Sequence, residues 1–93
     1  MKAEDRDAFL KTEPVTASTA VRALWWQANG DWDRAHQLVP VSSDANNWVH
    51  GYLHRVEGDL GNAAYWYRLA NRPVSEVSLQ QEWQDLLTTL TAP

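Results

Sequence analysis

The stretch GYLHRVEGDLGNAAYWYRLANRP, residues 51–73, decides the fold. Gly58-Asp59 sits in its middle as a stop followed by a start. Glycine takes the left-handed conformation that ends a helix without steric cost, and an aspartate carboxylate caps the exposed N–H groups of the next one. Downstream, Leu60, Ala63, Ala64, Tyr67 and Ala70 recur at helical spacing up to Pro73, which cannot continue a helix. Upstream, the pattern runs back through Val56, Leu53, Tyr52, Val49 and Trp48 to a start near Ser43-Asp44. With a single residue between the two helices, the expected unit is an antiparallel helical hairpin.

The same punctuation occurs 28 residues earlier, at Gly30-Asp31, and aligning the two turns pairs Val21 with Val49 and Ala35 with Ala63. The first hairpin should therefore consist of a helix beginning after Pro14, with Ala17, Val21, Leu24, Trp25 and Ala28 on one face, and a short helix reaching Val39 with Trp32 and Ala35 inward. Beyond Pro73, Ser78 and Gln81 form a capping box ahead of Leu79, Trp83, Leu86, Leu87 and Leu90, a stripe expected to close over the second hairpin. Residues 1–13 hold both lysines and one apolar cluster, Ala8-Phe9-Leu10. They read as a flexible leader that could form a short helix or docking arm. The expected architecture is a single all-α domain over residues 14–93: two antiparallel hairpins plus a capping C-terminal helix.

In the second unit, Gly51-x2-His54, Gly58-Asp59, Ala63-x3-Tyr67-x2-Ala70 and Pro73 together resemble the tetratricopeptide repeat. The first unit offers Ala23-x2-Trp26, Gly30-Asp31 and Ala35-x3-Val39. The repeat here is 28 residues against the family's roughly 34, and His54 stands where a tyrosine is usual. The longer strings from Gly30 to His36, from Tyr52 to Asp59 and from Asn62 to Tyr67 are also similar to a family of small bacterial proteins of unassigned function. The tetratricopeptide resemblance implies a concave partner-binding surface, with Trp48, Tyr52 and Arg55 pointing toward it.

Composition excludes several function classes. A net charge of −4 argues against binding a phosphate backbone. No apolar run is long enough to span a bilayer, and Glu4, Asp5 and Asp7 are unlike a secretory signal, so the expected location is the cytoplasm. With no cysteine, thiolate metal sites and cysteine nucleophiles are ruled out. Phosphate-loop, HExxH and nucleophile-elbow motifs do not occur, and the sequence assigns no catalytic residue, cofactor or metal.

Two features carry chemistry. His50, His54 and Glu57 fall at i, i+4 and i+7, one stripe of a helix. That stripe lies opposite the main apolar face, so it is buried only if the helix has neighbours on both sides; Gly51, which permits close backbone approach, favours burial. His36 is the remaining histidine of three. The second feature is an excess of aromatics, six tryptophans among them, with Trp25-Trp26 and Tyr65-Trp66-Tyr67 too closely spaced for one helix face. The leading expectation is a non-catalytic protein-interaction module that self-associates as a homodimer through surfaces such as Trp66. The alternative is a small ligand- or metal-binding protein, or an enzyme, built on His36, His50, His54 and Glu57.

Overall fold

The computed structural model describes residues 3–92. Six helices follow one another: α1 (Ala3–Leu10), α2 (Thr19–Ala28), α3 (Trp32–Gln37), α4 (Asp44–Val56), α5 (Leu60–Leu69) and α6 (Leu79–Thr91), with no strand among the described residues. Each of the last five starts on a side-chain cap. Ser18, Asp31, Ser43, Asp59 and Ser78 accept from the backbone N–H three residues on, an interaction worth about 1 kcal/mol per cap. Gly30 (φ +91°) and Gly58 (φ +85°) take the left-handed conformation at the two Gly-Asp turns.

Three boundaries differ from the sequence reading. α2 begins at Thr19 rather than after Pro14, because Ser18 supplies the cap while Ala17 N–H closes a turn on the Pro14 carbonyl at 2.9 Å. α3 stops at Gln37, before Val39. The capping box of α6 is half made: Gln81 Nε2 donates to Asp85 Oδ1 at 2.9 Å instead of reaching back to its cap.

Helix α4 lies at the centre, in contact with α2, α3, α5 and α6. A helix with neighbours all round buries its whole circumference. Residues 47–54 are all buried, the histidine stripe as well as the apolar face. α2 packs on α3 and α4 on α5, and the pairs matched by the internal repeat, Val21/Val49 and Ala35/Ala63, are buried in both copies. Where α4 meets α5, a Cβ built on Gly51 would stand 3.1 Å from Cδ1 and Cε1 of Tyr67. Gly51→Leu is expected to lose about 1–3 kcal/mol by overpacking. A urea midpoint equal to that of the wild type would show that the ring can move aside.

The aromatic surplus is largely consumed inside the chain. Among the described residues, five of the six indole N–H groups find a hydrogen-bond acceptor: Trp25 to Phe9 O, Trp26 to Glu13 Oε1, Trp32 to Leu53 O, Trp48 to Glu82 Oε2 and Trp83 to Leu24 O. The leader takes part in this. α1 is the short helix its apolar cluster allowed, Phe9 sets its ring edge-on to Trp83 with centroids 5.9 Å apart, and Glu13 also receives Arg22 Nη2 at 3.3 Å.

Glu82, 2% exposed, organises the contact between α4, α5 and α6. Its carboxylate accepts from Tyr67 Oη at 2.7 Å to both oxygens, from Trp48 Nε1 at 3.1 Å and from Arg55 Nη1 at 2.9 Å. Arg55 also bonds Ser75 Oγ and the Val77 carbonyl, tying the segment before α6 to α4. Trp48 and Tyr52 are core residues rather than members of an open concave surface, because α6 with Glu82 covers the face of α4 that carries them.

Candidate functional site

The three histidines converge. His36 comes from the last turn of α3, whose start is fixed by the Asp31 cap immediately after the Gly30 stop. His50 and His54 come from successive turns of α4 and are 5% and 6% exposed. One ring nitrogen from each lies within 4.8 Å of the other two. His36 and His50 present Nε2 to each other at 3.1 Å, so in the metal-free protein one donates and the other accepts.

Two tryptophans wall the cluster. Trp32, held by its 2.7 Å hydrogen bond to the Leu53 carbonyl, stacks on His36 with centroids 4.9 Å apart and planes 10° from parallel. On the other side Trp66 stacks on His50 at 4.0 Å and 14°. His50 and His54 lie parallel at 5.8 Å, and His36 meets both edge-on at 4.7 and 5.3 Å. The rings are thereby locked in orientation by packing as well as by hydrogen bonds.

His54 Nδ1–H donates to Glu57 Oε1 at 2.6 Å. That bond engages Nδ1 and leaves Nε2 as the nitrogen available to the cluster, the arrangement by which a carboxylate orients a metal-binding imidazole. Glu57 itself lies on the exposed rim. Burial pushes the pKa of His50 down to about 4, with help from the His36 and His54 rings. His36 is lowered too, again by burial first and then by His54, with Glu57 and Asp33 pulling the other way. His50 is therefore neutral at pH 7 and keeps a lone pair for a Lewis acid.

Of the residues singled out in the sequence, His36, His50, His54, Glu57 and Trp66 come together. Trp48, Tyr52 and Arg55 do not; Trp48 and Arg55 belong to the Glu82 network, and Tyr52 bonds Gln27 of α2. Trp32 is the site residue missed, its helical spacing with Ala35 marking it only as inward. A second group, His54, Glu57 and Asp59, shares His54 with the first, but its carboxylates are exposed and Asp59 is occupied as the cap of α5. Comparison with family models, with curated proteins and with solved structures gives no match.

Proposed function

We propose that the protein binds one transition-metal dication through His36, His50 and His54. The observation that carries this is the convergence of three ring nitrogens from two helices. Two ligands about 2.0–2.1 Å from a tetrahedral zinc stand about 3.3 Å apart, close to the 3.1 Å between the facing Nε2 atoms of His36 and His50. The metal takes the place of the proton those two atoms share, that proton moving to Nδ1 of the ring that carried it so that both rings stay neutral, and a small movement of His54 closes the triangle. Three neutral imidazoles suit zinc, cobalt, nickel or copper and are poor ligands for magnesium or calcium. The Glu57 carboxylate behind His54 supplies a compensating charge. Three protein ligands leave a fourth position for water or another small ligand, and the half-buried His36 marks the side from which it enters.

The same reading takes α2–α3 and α4–α5 as two copies of one tetratricopeptide-like hairpin, supported by the matched Gly-Asp turns and the pairwise packing. In it the repeat serves to bring the second helix of the first copy against the first helix of the second, the junction where His36 meets His50. A partner-binding module remains the other reading, but with Trp48, Tyr52 and Trp83 in the core its aromatic anchors reduce to the exposed Tyr65 and the half-buried Trp25, Trp26, Trp32 and Trp66.

Calorimetric titration of the chelator-treated protein with zinc is expected to give one ion per chain. Zinc free at 100 times its Kd should raise stability by about 2.7 kcal/mol. The cobalt form should show the visible bands of a tetrahedral nitrogen site. His36→Ala, at the half-buried ligand, should weaken binding by at least about tenfold. Equal affinity in wild type and His36→Ala, or colourless cobalt protein, would remove the assignment.

A further inference from the structure

A cavity of about 230 Å³ opens to solvent between α1, α2, α4 and α6, on residues that the histidine cluster does not use. Leu10, Ala28 and the face of Trp83 form its apolar part, and Arg6, Gln27, Tyr52 and Gln80 its polar part. Among the described residues, Arg6 is the one charged residue in the lining. Its Nε is buried, and its guanidinium makes no hydrogen bond or ion pair among the described residues, so the Nη groups are the donors a ligand oxygen would meet.

The other polar groups lean toward donating. Tyr52 Oη–H is spent on Gln27 Oε1 at 3.1 Å, which orients that amide with its N–H groups left for a ligand. Burial raises the pKa of Tyr52 well above its ordinary value of 10.0, so the phenol adds no negative charge. The indole N–H of Trp83 is committed to Leu24 O and offers only its ring surface. Among the described residues the lining thus offers one cation and the amides of Gln27 and Gln80 beside an apolar wall.

We propose that this cavity binds a small monocarboxylate with an apolar body, its carboxylate on Arg6 and the Gln27 amide and its body against Leu10 and Trp83. A guanidinium fork matches the two oxygens of a carboxylate, and a lone arginine is poorly matched to the greater charge of a phosphate ester. The volume equals about eight waters at roughly 30 Å³ each. It falls short of the roughly 300–1,000 Å³ of drug-sized sites, so the occupant has about ten non-hydrogen atoms.

The test titrates butyrate, hexanoate and phenylacetate into the full chain with chelator present, so that its outcome is independent of the metal site. The Trp83 indole N–H resonance reports binding, and phenylacetamide serves as the uncharged counterpart of phenylacetate. At least one acid should shift that resonance saturably. Affinity should fall by at least about tenfold in Arg6→Gln and, where phenylacetate is the ligand, for the amide. Ala28→Leu, which fills the cavity from the exposed end of α2, should abolish the shift, and an otherwise unchanged spectrum establishes that each variant is folded. Absence of a saturable shift with all three acids, equal binding of acid and amide, or indifference to Arg6→Gln overturns the proposal.

Discussion

Glu82→Ala is expected to destabilise the protein by about 3–5 kcal/mol, the cost of removing one member of a buried charged network. The substitution leaves three donors without an acceptor: the Tyr67 hydroxyl, the Trp48 indole N–H and one arm of the Arg55 guanidinium. Each buried orphan costs about 1–3 kcal/mol before relaxation, and the charge on Arg55 is left without its counter-ion. Burial, the largest cause of the raised pKa of Tyr67, persists once the carboxylate is gone, so this hydroxyl cannot escape by ionising. Glu82→Gln retains the shape and one acceptor oxygen and should fall between Ala and wild type. Urea unfolding at constant m-value measures the series. A loss below about 1 kcal/mol for Glu82→Ala would mean that α6 is not held by this network.

Acidification of the metal-free protein should produce the second large effect, a loss of about 3 kcal/mol as the pH falls from 6.5 to 4. In the folded chain the pKa of His50 is about 4, against its ordinary value of 6.5. The unfolded chain therefore takes up the proton first. The contribution is fully present above pH 6.5 and is lost through the window between the two values, at about 1.4 kcal/mol per unit. The groups facing His50 are the His36 and His54 rings and the Trp66 indole, none of which supplies a negative charge to hold a proton there. His36, lowered for the same reason, adds to the loss in the same direction. Chelator-treated protein, unfolded by urea at a series of pH values, gives the slope directly, and His50→Gln should remove most of it. A wild-type stability flat between pH 6.5 and 4 would show that water reaches His50 and that it titrates as an exposed imidazole.

The local signals in the sequence determined the secondary structure. Gly30-Asp31 and Gly58-Asp59 act as stop and start because a left-handed glycine and a carboxylate cap are properties of one or two residues, and both turns form that way. Ser78 does the same for α6. The helix periodicity likewise placed His50, His54 and Glu57 on one stripe before any packing was known, and Gly51 signalled the close approach that Tyr67 makes.

Only the tertiary structure decided what those stripes meet. Whether His36 reaches His50 depends on how α3 lies against α4, a matter of crossing geometry that neither helix encodes alone. Glu82 shows the limit most clearly. In the first turn of α6 an acid reads as a complement to the helix dipole, yet it is buried because α6 lies across α4 and α5 where Trp48, Arg55 and Tyr67 point at it. The same crossing moved Trp48 and Tyr52 from an expected open surface into the core. Caps and periodicity are fixed by neighbours in the chain, whereas a site is fixed by side chains as far apart as Trp48 and Glu82, and those meet only once the helices have chosen their partners.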